Sequence, residues 1–345
     1  MKLEEKCLRW TGIVVAIAVT IRLLSGGIGE QIWNALSSPK TAAALLFLET
    51  GRHFHAPSPT TVPETIPQTT LSPETAPTEE TTLPPATEPE LPVFAPEDRA
   101  LVAVNSRCKY DADVPEMLAQ PLSWDLTGGE PKVLIFHSHA TESYRNTENY
   151  TQSAPYRTLS ADYNMVSVGA HLKSILEDAG IGVIHDTTLY DHPSYNDSYG
   201  NARQGVQELL NQYPTVELVL DLHRDSLPGS SGEEVALRVE PPAGASSQLM
   251  MVVGTDASGL NHPMWLSNLS LAVKLHARLE QIQPGLCRPI SLRKERFNQD
   301  LSTGAMLIEI GAAGNDRQEA LLAATYLGYA IIDLAQGCTT ADSAS

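Results

Sequence analysis

From residue 132 onward, apolar and polar positions fall into blocks whose period switches between that of a buried strand and that of a helix. The run KVLIFH (132–137), followed by a long polar excursion, predicts a strand that empties into a loop. Met165, Val168, Leu172, Ile175 and Leu176 recur at helical spacing within 164–180, where Gly180 supplies a stop. IGVIH (181–185) predicts the next strand, 198–212 a helix, and VELVLDL (216–222) a third strand. EVALRVE (234–240) and QLMMVVG (248–254), around PPAGAS, read as a hairpin that adds edge strands. A helix over 263–282, a short strand near 288–292, a strand over 305–310 and a helix over 315–335 complete the series. This alternation predicts an α/β fold in three layers, with a mostly parallel or mixed sheet and helices on both faces.

Upstream the pattern changes twice. Lys2, Lys6 and Arg9 precede the apolar run TGIVVAIAVTI (11–21), then Arg22, Leu23 and Leu24. With its flanks this stretch approaches the ~20 residues that cross a bilayer. The basic flank places the N-terminus in the cytoplasm, and no A-x-A cleavage site follows, so 1–30 reads as an uncleaved transmembrane signal anchor. A short amphipathic segment lying on the membrane is the alternative. Residues 31–55, with the apolar AAALLFLE (42–49), read as membrane-proximal. Residues 56–97 are rich in Pro, Thr and Glu and lack apolar periodicity, which predicts a disordered linker. At ~3.1 Å per residue in a polyproline-like state, about 40 such residues reach roughly 100 Å. The folded domain is expected over 98–337 and a tail over 338–345. The expected location is the cell membrane, single-pass, with the domain outside the cytoplasm.

Composition narrows the function. A formal net charge of −18 without a basic stripe argues against a nucleic-acid partner. Cys7, Cys108, Cys287 and Cys338 show no C-x-x-C spacing, so neither a zinc knuckle nor a dense disulfide scaffold is indicated. One bridge among the last three stays open.

The chemistry sits where strands end. VLIFHSHATES (133–143), ELVLDLHRDS (217–226) and MLIEIG (306–311) each carry an apolar run into polar residues, the edge at which open α/β sheets bind ligands. A catalytic zinc takes three protein ligands, often two His and a carboxylate, and keeps one position open. His139, Glu142 and His223 form such a set, and a zinc there lowers the pKa of water toward ~7. Glu309, in an otherwise apolar strand, is the candidate general base. His137, two residues from His139, is a rival ligand or an outer neighbour of the ion. Asp162 rivals Glu142, and also reads as a cap on the first long helix. Asp221 and Asp225 flank His223 and would orient its ring, or pair with Arg224. Asn298, Gln299 and Asp300 are candidates for substrate contact, or a plain loop.

HSHATESY (137–144), SYNDSY (194–199), DLHRDS (221–226), MVVG (251–254), FNQDLS (297–302) and LIEIG (307–311) followed by Asn315 resemble the stage II sporulation protein P family, across roughly 130–335. That family is similar to the zinc-dependent N-acetylmuramoyl-L-alanine amidases. The resemblance implies a Rossmann-like fold, zinc held by His139, Glu142 and His223, and Glu309 as acid/base. It implies peptidoglycan as substrate, cut at the amide between N-acetylmuramic acid and L-alanine, with cross-link endopeptidase activity besides. It further implies a role in engulfment during endospore formation beside stage II sporulation proteins D and M. The amidases draw their ligand Glu from the start of the first helix, where this chain has Asp162. A zinc carboxypeptidase or other peptidase, and an inactive cell-wall-binding module, are the competing classes.

Overall fold

Strands buried on both faces read as nearly continuous apolar runs, and the sheet is built from them. The computed structural model describes residues 94–336, apart from 123, 127, 146–149, 152–155 and 231. The expected anchor, the membrane-proximal segment, nearly all of the linker and the tail lie outside the described residues. Among the described residues no helix is long and apolar enough to cross a membrane.

The strands are β1 (Val104–Ser106), β2 (Pro131–Phe136), β3 (Gly182–His185), β4 (Leu218–Asp225), β5 (Arg238–Val239), β6 (Ser246–Ser247), β7 (Leu249–Gly254), β8 (Ile290–Arg293) and β9 (Ala305–Ala312). The helices are α1 (Val114–Ala119), α2 (Met165–Asp178), α3 (Ser198–Gln212), α4 (Trp265–Ile282) and α5 (Arg317–Ala335). Seven strands form one sheet in the order β1-β8-β7-β9-β4-β2-β3, while β5 and β6 pair separately. The β7–β9 junction is antiparallel and the other pairings in the large sheet are parallel. The C-terminal ends of β2, β4 and β9 therefore share one edge.

Two expectations need correction. QLMMVVG does not add an edge strand: β7 lies inside the sheet, with Leu249, Met251 and Val253 fully buried. Its apolar residues on both faces were the mark of an interior position. The hairpin survives only as the two-residue β5–β6 ladder. β4 runs past its apolar stretch to Asp225, so His223, expected just beyond the strand, is a ladder residue paired with Glu309, which lies within β9 as expected. Strand β1 and helix α1 went unanticipated, because both are short and only partly buried.

The two faces are covered unequally. Leu172 and Leu176 of α2, Leu271 and Leu275 of α4, and Leu327 and Ile331 of α5 share one core with Leu220, Leu222, Met251 and Ile308. Burying each such side chain stabilises the fold by about 1.5–3 kcal/mol. On the other face Ala202 and Val206 of α3 pack on Leu134, Phe136 and Val219. Beyond β4 that face is open, and Leu307, Val252 and Ser291 line a cleft there. Cys108 and Cys287 are free thiols, and Cys338 lies outside the described residues.

Helix α2 is capped by Asn164, whose side chain accepts from the Val166 N–H (3.0 Å), and not by Asp162, which is exposed. Below it His137 and His185 meet, Nε2 to Nε2 at 2.9 Å, while His137 Nδ1 donates to the Leu222 carbonyl (3.0 Å). Burial pushes both imidazoles down, His137 to about 4 and His185 to about 3, so the pair is neutral at pH 7. Gly169 makes room for them: a Cβ there would lie 2.5 Å from His185 Nε2 and 2.6 Å from His137 Nε2.

Gly169→Ala sets a helix-propensity gain of about 1 kcal/mol against overpacking of about 1–3 kcal/mol. Because both opposing atoms are ring nitrogens fixed by hydrogen bonds, we expect net destabilisation, read as a lower urea midpoint; a higher midpoint would show that the rings yield. The histidine pair also sets a pH dependence. Between pH 6.5 and about 4 the unfolded chain binds more protons at these rings than the folded one, so their contribution makes stability fall as pH falls through that window. His185→Gln should flatten the slope of urea midpoint against pH, and an unchanged slope would remove the pair from the account.

Candidate metal centre and active site

Past Phe136 the chain leaves β2 through a turn at 138–141 and delivers His139 and Glu142 to the shared strand edge. That turn is held from both sides. The Asp191 carboxylate accepts from the Thr141 N–H (3.2 Å) and hydroxyl (2.5 Å), and Tyr144 O–H donates to the Ile310 carbonyl of β9 (2.9 Å). From β4, His223 arrives in register with Glu309 of β9 and on the same face of the sheet. A bulge follows, because Asp225 pairs with Ala312, and Gly311 takes it up at φ 68°.

His139, Glu142 and His223 are buried, and one donor atom from each lies within 4.8 Å of the others. His139 Nδ1 is 3.5 Å from Glu142 Oε1, and His223 Nδ1 is 3.4 Å from Glu142 Oε2. Both separations are long for hydrogen bonds. They end on different oxygens of Glu142, and the spread of the three donors is small enough for one ion to be shared. The second nitrogen of His223 is committed elsewhere: Nε2 lies 2.9 Å from Asp221 Oδ1 and 2.9 Å from Ser138 Oγ. Ser138 in turn donates to Asp221 through its N–H (2.8 Å) and hydroxyl (2.7 Å). Asp221 thus holds a proton on Nε2 and leaves the Nδ1 lone pair facing Glu142, the outer-shell arrangement that orients a ligand histidine.

The electrostatics call for a cation at this point. Burial alone would lower the His223 imidazole, but Asp221 and Glu142 outweigh it and hold it well above 6.5. Burial likewise pushes the Glu142 carboxyl up, yet Arg224 and the two imidazoles together keep it well below the usual carboxylate range. Glu309 differs. Burial pushes its carboxyl up to about 8, and its Oε2 is buried without a hydrogen-bond partner. An orphaned carboxylate oxygen beside His223 fits a site that receives a further polar group. A two-imidazole, one-carboxylate set fits zinc.

The remaining expected residues go to other tasks. Arg224 backs Glu142: its N–H reaches Oε2 (3.3 Å), its Nε donates to the Ser143 carbonyl (3.0 Å) and Nη2 to the Tyr156 carbonyl (2.8 Å). Asp225 pairs with Arg288 (2.7 Å) and does not touch the His223 ring. His137 faces His185 below the sheet edge, and Asp162 is exposed at the turn before α2. Neither joins the cluster. Asn298 donates to the Tyr199 carbonyl (2.8 Å), and Gln299 bonds the backbone of Gly254 and Val252 (2.8 Å each). Asp300 is gripped by Arg203 through two 2.8 Å bonds. These three residues therefore brace the cleft instead of facing a ligand.

Sequence reasoning missed several neighbours. Ser138 stands between the two histidines of HSH, a position that was itself a signal. Arg157 binds Asp191 (2.8 Å) and Glu142 (3.4 Å) and lies 4.4 Å over the Tyr195 ring. Tyr195 stacks on His139 at 4.4 Å, and Tyr199 meets the same ring edge-on at 5.3 Å. Both tyrosines fall within SYNDSY, whereas nothing in the loop sequence singled out Arg157. The cleft so formed has a volume of about 430 Å³.

Residues 64–332 match the family model for stage II sporulation protein P. Stage II sporulation protein P of Bacillus subtilis (strain 168) is 26% identical over 204 residues, which cover 56% of this chain and 48% of that protein. The matched segment thus spans about half the length of that curated relative. Among solved structures, the N-acetylmuramoyl-L-alanine amidase AmiC2 of Nostoc punctiforme matches 61% of this chain and 96% of its own, at 14% identity and a TM-score of 0.36. The CwlD amidase of Clostridioides difficile, solved in complex with the GerS lipoprotein, matches 61% of this chain and all of its own, at 12% identity and a TM-score of 0.37. Likenesses of that size carry no weight for activity. The family model covers well over half of the chain, and the chain belongs to the stage II sporulation protein P family.

Proposed function

We propose that this chain hydrolyses peptidoglycan as a zinc-dependent N-acetylmuramoyl-L-alanine amidase, with cross-link endopeptidase activity besides. The observation that carries the reading is the β4–β9 register, which sets Glu309, with its unpartnered Oε2, beside His223 while His139 and Glu142 close on the same point. His139, Glu142 and His223 would hold the metal. When bound, zinc would supply Lewis-acid polarisation of the amide carbonyl and a more acidic water.

The protein's own groups do the rest. Glu309 takes a proton from the attacking water and hands it to the departing nitrogen, the acid–base duty for which a carboxyl near neutrality is suited. Asp221 and Ser138 fix the tautomer and tilt of His223. Arg224 keeps Glu142 ionised, and Arg157 contacts the same carboxylate at 3.4 Å. The sheet face beyond β9 and the rings of Tyr195 and Tyr199 frame the cleft in which the substrate lies.

The reading extends to place and company. Residues 1–30 act as a single-pass anchor with the N-terminus in the cytoplasm, and 56–97 tether the domain outside the membrane within reach of the wall. Membership of the family supports a role in sporulation; action in endospore engulfment beside stage II sporulation proteins D and M is the reading's own extension. A zinc carboxypeptidase would use the same donors, and the identity of the new amino termini separates the two. An inactive wall-binding module would have no use for the intact donor set and its adjacent Glu309.

On purified sacculi, wild-type chain should release peptides with L-alanine amino termini, read by mass spectrometry. Glu309→Gln should lower kcat by about 10²–10⁴-fold while zinc content and sacculus binding persist. His223→Ala should lose the metal. Undiminished turnover in the first variant, or unchanged zinc in the second, would overturn the assignment of that residue.

A further inference from the structure

On a chain with a formal net charge of −18, two arginines lie side by side with little to neutralise them. β1 pairs in parallel with β8, Ser106 against Leu292, and the Arg107 N–H continues the ladder to the Leu292 carbonyl (2.8 Å). The next pair in that register is Arg107 with Arg293. Paired residues share a face, so the two side chains emerge together, and like charges directly opposite one another repel. Glu295 approaches one of them, at 3.3 Å from Arg293 Nε, across a partly exposed pair. Arg107 is exposed. Arg288 is different, since Asp225 already answers its charge at 2.7 Å.

Both arginines line the same cavity as His139, Glu142, His223 and Glu309. The ladder gives their place in it. Glu309 pairs with Met250, and Arg293 with Gly254, two strands across and four residues along. At ~4.8 Å between strands and ~3.3 Å per residue, the Cα of Arg293 lies about 16 Å from that of Glu309. Arginine side chains shorten that span to one that a short extended peptide covers. At the other end of the cleft Arg288 is answered by Asp225 and Arg224 by Glu142, so Arg107 and Arg293 are the less compensated cations of its lining.

We propose that Arg107 and Arg293 form a carboxylate-binding subsite that takes an acidic residue of the peptide on the leaving side of the scissile amide. This rests on the peptidoglycan reading for the identity of the peptide, though not for its charge. The cleft thereby gains a polarity. The peptide runs across β7 toward β8 and β1, and the bond to be cut lies over β9 and β4. Two planar guanidinium groups, each with a pair of parallel N–H donors, suit a carboxylate better than two ammonium groups would.

The test uses the full chain and two soluble probes, the tripeptide L-alanyl-γ-D-glutamyl-L-lysine and the same peptide with its carboxylates amidated. Calorimetry should show the acidic form binding about 10-fold or more tighter than the amidated form, the range expected for hydrogen bonds to a charged group. The preference should weaken as salt rises. Arg107→Ala with Arg293→Ala should abolish the preference, and the doubly lysine-substituted chain should restore part of it. With cleavable muropeptides the same loss should appear in KM for acidic stems while kcat holds. Equal binding of both peptides to wild type, or a preference that survives the double alanine substitution, would overturn the proposal. If the arginines govern peptide binding but sacculi stay intact, the amidase reading falls and the subsite stands.

Discussion

Parallel pairing of β4 with β9 is the constraint on which the site depends, because the register that buries Leu220 against Met306 also fixes His223 beside Glu309. A slip of one residue in either strand would turn its side chains to the opposite face and part His223 from Glu309. Leu220, Leu222, Met306 and Ile308 are essentially fully buried beneath α2, α4 and α5, so packing against those helices holds the register. The same apolar alternation that stabilises the sheet therefore aligns the chemistry. Glu142 joins from a loop, and the loop is tied to that same pair of strands through Tyr144 to Ile310 and through Arg224 to Ser143 and Tyr156.

Burying this many charges requires mutual compensation. Asp221, Glu142, His223 and Arg224 are each under a tenth exposed, and every one has a partner of opposite sign or a hydrogen bond. Glu309 Oε2 is the exception, and Glu309 lines the cleft. Removing one member of such a network leaves its partner charged and unpaired, which costs more than the contact itself. The open sheet face beyond β4 has the same logic: with a helix there, as on the opposite face, Leu307, Val252 and Ser291 would be core and the substrate would have no floor.

Much of the fold was legible because strands and helices with strong periodicity need little context. Helix α3 appears over 198–212 as expected, and α2, α4 and α5 differ from expectation by a residue or two at their ends. The interior place of β7 was masked by its neighbours PPAGAS, which read as a hairpin. The candidate ligands stood at strand ends and could be named from position alone. What the sequence concealed were the supports. Asn164 displaced Asp162 as the cap two residues on. Gln299 and Asp300 look like binding residues in a polar loop, and only their burial against Gly254 and Arg203 shows them to be braces. The pairing of His137 with His185 joins residues 48 apart, which local pattern does not reveal.

The central claim is that His139, Glu142 and His223 share one ion. X-ray absorption at the zinc edge, together with anomalous diffraction from crystals of protein purified without chelators, tests this most directly. The account predicts one zinc per chain, with two imidazole nitrogens and a carboxylate oxygen at ~2.0–2.2 Å from these three residues. A zinc bound elsewhere in the chain, or no metal at this point in a fully zinc-supplied protein, would contradict it.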